Sequence, residues 1–127
     1  MSRLGLVSLI VRDYDEAIAF YTQCLGFVLE ADTDMGEAKR WVVVRPPSGG
    51  TGILLAEAKN EAEASRIGNQ TGGRVFLFLE TDNFMRNHAA MLAKGVKFRE
   101  QPRHEPYGTV AVFEDLYGNL FDLIEPK

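Results

Sequence analysis

The sequence predicts an α+β fold built from two tandem βαβββ modules. The order of one strand, one helix and three further strands occurs twice along the chain. Glycines mark the repeat. Gly26 and Gly95 end the two predicted helices and Gly49 and Gly118 lie in the last hairpins, each pair 69 residues apart (95 minus 26, and 118 minus 49). Because 127 residues is the length of one domain, a duplication inside a single domain, residues 1–127, is expected.

Module one, residues 4–57, opens with a strand and a helix. Residues 4–11 are apolar and β-branched, and apolar side chains then recur at helical spacing from Asp13 to Cys24. Asp13 and Glu16 have the spacing of a capping box at the start of this helix. Three short strands separated by turns that contain glycine or proline complete the module, at residues 27–32, 40–45 and 52–57.

Module two, residues 74–126, repeats this order after a polar linker at residues 58–73, which is helical or irregular. A strand is predicted at residues 75–79 and a helix at residues 82–94, which Gly95 ends. The remaining strands are predicted near residues 96–99, 109–114 and 120–125.

Composition and charge exclude several classes of protein. The net charge is −4, and lysine and arginine are scattered rather than gathered into a basic stripe, so we expect no nucleic-acid partner. The sequence has no apolar stretch long enough for a signal peptide or a membrane span. Cys24 is the only cysteine and suits a reducing compartment. We therefore expect a cytoplasmic protein with no membrane partner.

Two stretches resemble the most recognisable segments of the vicinal oxygen chelate superfamily, which includes glyoxalases, bleomycin resistance proteins and extradiol dioxygenases. The first is residues 11–21 with Leu25-Gly26-Phe27, and the second is residues 113–123. The resemblance extends over nearly the whole chain. It implies that each module's mixed sheet curls into half of a cup, and that two modules, within a chain or across a homodimer, enclose a cavity for a ligand.

Metal-dependent members of this superfamily place ligands near the start of the first strand and on the last strand of each module. The resemblance aligns these positions with Leu6, Ile53 or Leu55, Arg74 and Asp122. Only Asp122 has a side chain that binds a cation, whereas the divalent metals of such enzymes need several nitrogen or oxygen ligands. We therefore expect no metal and no other cofactor.

Arg74 and Asp122 are interpreted as an ion pair across neighbouring strands. The guanidinium would then supply positive charge where relatives bind metal. A buried charge is costly when it is alone and is tolerated when it is paired and hydrogen-bonded. The alternative is that Arg74 points into solvent at the start of its strand.

Three more candidate ligand contacts lie on the first strands of the two modules. Phe76 and Phe78 lie two and four residues after Arg74, so they are predicted on the same side of the strand as Arg74. Ser8 lies two residues after Leu6 and shares its side. Such a wall suits an apolar or aromatic ligand with a few polar contacts. Phe76 and Phe78 either line this pocket or fill a collapsed core.

The other candidates lie on a short strand and in a polar loop. Trp41 offers a stacking face for a ligand or a contact for a dimer. His104 belongs to a predicted loop at residues 103–105, where it lies at the cavity rim with Tyr107 or simply faces solvent. His88 is expected to pack between helix and sheet because of its helical spacing.

These observations favour a metal-independent protein that binds a small molecule, with an apolar or aromatic ligand in the cavity and no catalytic residue assigned. One alternative is a glyoxalase-like lyase, isomerase or dioxygenase, for which the metal ligands are missing. A second alternative is a structural or regulatory dimer without a ligand. Homodimerisation is expected because members of the superfamily commonly complete their cavities across chains.

Overall fold

Each module folds into its own mixed β-sheet in the computed structural model, which describes residues 1–127. The chain divides into two compact units, Met1–Ile67 and Gly68–Lys127, and each is described by itself below. The predicted α+β class and the two βαβββ modules are confirmed, with two separate sheets in place of one. None of the helices has the length and apolar character required to span a bilayer.

The first unit is a four-stranded sheet with the order β1-β4-β3-β2. Strands β1 and β4 are parallel, and the other pairs are antiparallel. The helix α1 continues directly into one π-helical turn at Phe20–Cys24, and together they fill the predicted helix. The elements are β1 (Leu6–Val11), α1 (Tyr14–Ala19), β2 (Val28–Gly36), β3 (Lys39–Arg45), β4 (Gly52–Glu57) and the short linker helix α2 (Glu61–Ala64).

The start of α1 is fixed by Asp13. Its side chain accepts a hydrogen bond of 3.0 Å from the backbone N–H of Glu16, as the capping spacing predicts. Tyr14 then donates its N–H to Glu57, and the Arg40 guanidinium lies over the Tyr14 ring. Glu57 lies two residues after the buried Leu55, and Arg40 lies two residues before the buried Val42, so both share the buried face of β4 and β3, and α1 covers that face of the sheet.

The β2–β3 hairpin is longer than the sequence predicts, since β2 continues to Gly36. Residues 33–36 are exposed and include only one apolar side chain, that of Met35, so no apolar alternation marks this extension of the strand. Arg40 on β3 ties the hairpin together through a two-pronged ion pair with Asp32, with N–O distances of 3.0 and 2.8 Å. The turn at Glu37 and Ala38 uses two positive φ angles, 56° and 65°.

The second unit has the strand order β5-β9-β8-β6, and β7 pairs with β8. The predicted loop at residues 103–105 is wrong, because these residues form a strand opposite residues 108–110. The strand is the first arm of a tight hairpin with β8, and its three polar residues carry no apolar alternation that would mark it. The elements are β5 (Val75–Glu80), α3 (Phe84–Ala93), β6 (Lys97–Phe98), β7 (Arg103–Glu105), β8 (Gly108–Glu114) and β9 (Leu120–Pro126).

A chain of rings packs α3 on one face of the second sheet. The ring of His88 stacks on Phe84 at 5.3 Å and meets Phe98 edge-on at 4.5 Å. Phe98 in turn packs against Phe113, which stacks on Phe121 at 5.2 Å. The prediction that His88 packs between helix and sheet is confirmed. Side chains that alternate with Phe113 and Phe121 therefore lie on the face opposite α3.

Candidate functional site

The face of the second sheet opposite α3 carries a single carboxyl at its centre. In register, Asp122 of β9 lies between Phe78 of β5 and Val112 of β8, and we call this surface the Asp122 face. Asp122 is half-buried, and its Oδ1 is buried without a hydrogen-bond partner. Burial raises the pKa of this carboxyl, because the charged form loses water.

An arginine and a glutamate border the Asp122 face. Arg103 of β7 lies opposite Val110 of β8, on the side of the sheet that Asp122 shares. Its Nε donates to Glu100 at 2.9 Å, and Glu100 also accepts the backbone N–H of Val112 at 2.9 Å. The Arg103 hydrogen bond is the main reason that the pKa of Glu100 is lowered. Burial nevertheless dominates the pKa of Asp122, since Arg103 lowers it and Glu100 raises it.

The predicted ion pair between Arg74 and Asp122 is wrong. Arg74 is exposed ahead of β5, and neither side chain takes part in an ion pair. The cause is a bulge in β5, where the register shifts between Val75 and Leu77. The extra residue breaks the two-residue alternation that was used to place Arg74 on the side of Phe78.

The same bulge separates the two phenylalanines that the sequence places together. The ring of Phe76 is half-buried and meets Phe121, a buried residue on the α3 side, at 6.5 Å. Phe78 is 64% exposed on the Asp122 face. Phe76 therefore packs against the α3 side of the sheet, and Phe78 is left with an accessible aromatic surface.

His104 and Tyr107, both predicted at the cavity rim, differ in their position relative to Asp122. His104 pairs with Thr109, one step out of phase with Arg103, so its exposed ring lies on the other side of the sheet from Asp122. Its Nδ1 lies 3.3 Å from the Thr109 hydroxyl. Tyr107 is 53% exposed and hydrogen-bonds with Arg103. Arg103, which sequence reasoning missed, occupies the place assigned to His104.

In the first unit, Ser8 and Trp41 lie on the face opposite α1. Ser8 of β1 is exposed and lies opposite Leu54 of β4, which pairs with Val43 of β3. Trp41, two residues before Val43, has the same orientation, is 41% exposed and lines a groove of about 610 Å³. We call this surface the Ser8 face.

The side chains at the positions expected to hold metal do not suit a divalent cation. Ile53 and Leu55, 3% and 0% exposed, belong to the core. Leu54, which faces the other way, has no donor atom. Within residues 1–127, no three side chains of histidine, cysteine, aspartate or glutamate are close enough to hold a metal ion. Asp122 alone is too small a donor set.

Comparison with protein families agrees with this architecture. The family model described as the Glyoxalase/Bleomycin resistance protein/Dioxygenase superfamily matches residues 3–123. The chain belongs to this superfamily. The resemblance read from residues 11–21 and 113–123 is therefore confirmed.

Individual members of the glyoxalase/bleomycin resistance protein/dioxygenase superfamily resemble the chain over almost its full length. A protein of Shewanella frigidimarina is 55% identical over 121 residues, which cover 94% of this chain and 90% of that protein. The crystal structure of UcmS2 has 32% identity and a TM-score of 0.85, with 98% of both chains covered. TnmS3, an antibiotic binding protein from Streptomyces sp. CB03234, has 30% identity and a TM-score of 0.80, covering 100% of this chain and 98% of its own.

Proposed function

We propose that the protein binds a small apolar or aromatic molecule without a metal ion. The observation that carries this proposal is the Asp122 face, where an exposed aromatic ring, Phe78, lies beside a carboxyl oxygen that has no hydrogen-bond partner. Apolar walls with one or two placed polar groups are the usual construction of small-molecule sites. The similarity to TnmS3, an antibiotic binding protein, supports the same class of activity.

The proposed ligand contacts are of two kinds, aromatic stacking and hydrogen bonding. Phe78 stacks on the ligand, and the buried Oδ1 of Asp122 accepts a hydrogen bond from a ligand hydroxyl or amine, which satisfies its missing partner. Arg103 and Tyr107 form a polar edge beside this contact. His104 is not one of these contacts, because it lies on the opposite side of β7.

The Ser8 face offers a second set of contacts of the same kind. Trp41 supplies a partly exposed ring above an apolar strand surface, and Ser8 supplies one hydroxyl. We propose that the protein acts in the cytoplasm and as a homodimer. The exposed rings of Trp41 and Phe78 support dimerisation, since aromatic residues are enriched in such interfaces.

Two matched probes test the proposal. 2-Naphthol and 2-methoxynaphthalene share an aromatic body, but only the first has a hydroxyl donor. We expect amide NMR signals around Phe78 and Val112 to shift saturably with both probes, and 2-naphthol to bind more tightly. Phe78→Ala weakens both probes, whereas Asp122→Leu removes the advantage of 2-naphthol. Met85→Ala, an exposed residue on α3, is the control and leaves binding unchanged.

A second set of titrations tests whether binding requires a metal ion. The titrations are repeated after treatment with a chelator and again with added Zn²⁺, Mn²⁺ or Ni²⁺. Equal affinities in the three conditions support the proposal. Binding that disappears with the chelator and returns with one ion contradicts metal independence. Binding that is equal in wild type and Phe78→Ala contradicts the placement on the Asp122 face.

A further inference from the structure

We propose that the second unit contains a separate site for a phosphate group, built from Arg74, Arg99 and the glycine-rich loop before β5. The site is a cavity of about 210 Å³ that the loop at residues 68–74 lines together with Arg99 and Asn119. We call it the Arg74 cavity. Neither Phe78 nor Asp122 lines it, so it is distinct from the proposed aromatic site.

The charges around the Arg74 cavity are positive. No acidic side chain lines it. Arg74 is exposed and makes no ion pair, so its five N–H donors are available to a ligand. Arg99 has one partner, Glu114, at 3.3 Å, and its side chain remains 52% exposed. Two guanidinium groups with at most one carboxylate between them leave a net attraction for an anion.

The loop is held in place by the second unit itself. The N–H of Gln70 donates to Asn119 Oδ1 at 3.4 Å, and Asn119 is buried and bonded to Asp115 at 2.9 Å. At the other end, the Thr71 hydroxyl donates to the carbonyl of Arg74 at 2.6 Å. A Cβ atom at Gly68 would overlap the carbonyl oxygen of Tyr117. These contacts fix the conformation of the loop before any ligand arrives, which lowers the entropic cost of binding.

The loop also has backbone donors, and Gly73, which directly precedes Arg74, lines the Arg74 cavity. Gly72 and Gly73 have φ angles of 71° and 102°, which side chains rarely adopt. The N–H groups of both glycines donate to no protein acceptor within residues 1–127. Successive N–H groups in such turns form anion-binding concavities. Backbone donors and arginine forks together are the usual ligands of phosphate oxygens.

A direct titration tests the Arg74 cavity. Inorganic phosphate is added to the full-length protein at constant ionic strength, and binding is followed by calorimetry and by amide NMR shifts of residues 68–74. We expect saturable binding in the millimolar range or tighter. Arg74→Gln weakens it about tenfold or more, since it removes a charged hydrogen-bond donor. Arg86→Gln makes the same charge change on the exposed side of α3 and leaves affinity unchanged.

Two further variants and a second phosphate compound test the individual contacts and the kind of ligand. Arg99→Gln tests the second guanidinium, and Arg74→Lys keeps the charge but loses the fork, so its affinity falls between wild type and Arg74→Gln. Phenyl phosphate distinguishes the source of the phosphate group. Tighter binding than inorganic phosphate assigns the cavity to a phosphorylated molecule, and weaker binding assigns it to the free ion.

Absence of saturable binding of both compounds overturns the proposal. Equal weakening by Arg74→Gln and Arg86→Gln overturns it as well, because a general charge effect then explains the binding. Neither result bears on the naphthalene titrations, which report on the Asp122 face.

Discussion

Phe78 lies directly opposite Asp122 in the parallel β5–β9 pair. An exposed ring therefore stands beside a half-buried carboxyl on the same face of the sheet. The ring provides area that a ligand can bury, and the unpartnered Oδ1 provides a direction for one hydrogen bond. For the function proposed above, this pairing supplies both kinds of contact, apolar area and one directed polar atom, that a small molecule would use.

Asp122→Asn is expected to raise the melting temperature at neutral pH. Burial raises the pKa of Asp122, so the folded protein binds this proton to higher pH than the unfolded chain does. Stability is therefore lost as the pH rises from the ordinary carboxyl range through the raised pKa. The neutral amide removes that loss, and we expect a gain of a few degrees at pH 7 and almost none near pH 3, measured by calorimetry. A lower melting temperature at pH 7 would contradict the burial argument.

Glu100→Gln is expected to lower the stability of the protein at pH 7, whereas Asp122→Asn is expected to raise it. The hydrogen bond from Arg103 lowers the pKa of Glu100, so its contribution to stability is present above the ordinary glutamate pKa and is lost as the pH falls through the lowered value. The substitution lowers stability at pH 7 and has little effect in strong acid. Denaturant melts at both pH values measure this difference. Glu61→Gln, on the exposed linker helix, is the matched control.

Phe78→Ala and Phe113→Ala compare a proposed ligand contact with a core residue. Phe113 is completely buried between Phe98 and Phe121, so its truncation costs about 3–5 kcal/mol in the free energy of unfolding. Phe78 is mostly exposed, and its truncation changes stability by about 0.5 kcal/mol or less. Urea denaturation compares the two variants. A large loss for Phe78→Ala would mean that its ring is covered in solution, as a dimer contact would require.

Asp13→Ala is expected to destabilise the first unit by about 1 kcal/mol, because it removes the cap of α1. Asp13→Ser keeps an oxygen acceptor and retains most of the stability. Chemical denaturation of both variants measures the difference. Equal losses would show that the charge of Asp13, rather than its capping hydrogen bond, matters.

The sequence predicts elements with local signals well. Helix α1 and strand β4 follow from apolar periodicity and capping spacing inside their own segments. The predicted ion pair of Arg74 fails because the bulge in β5 depends on how that strand pairs with β9, whose paired residues lie 44 or 45 positions further along the chain (122 minus 78, and 120 minus 75). Strand β7 is missed for a different reason: its partner β8 is its neighbour in the chain, but residues 103–105 are polar and carry no apolar alternation.

In the candidate site, too, some residues could be placed from the sequence and others could not. Phe78 and Asp122 could be proposed from alternation alone, because both lie in regular parts of their strands. Arg103 could not be placed, since a polar segment with no apolar neighbours gives no sign of which side its residues take. The Arg74 cavity depends on a loop that buried Asn119 holds, and one sequence does not reveal that contact.

The duplication has a consequence for how recognition evolves. Ser8 and Leu54 are register partners in β1 and β4 on the face opposite α1, and Phe78 and Asp122 are register partners in β5 and β9 on the face opposite α3. One half has its polar group on the first strand and the other half has it on the last. No strand of one sheet is hydrogen-bonded to a strand of the other. Substitutions that change the exposed residues of one sheet therefore leave the strand pairing of the other sheet unchanged.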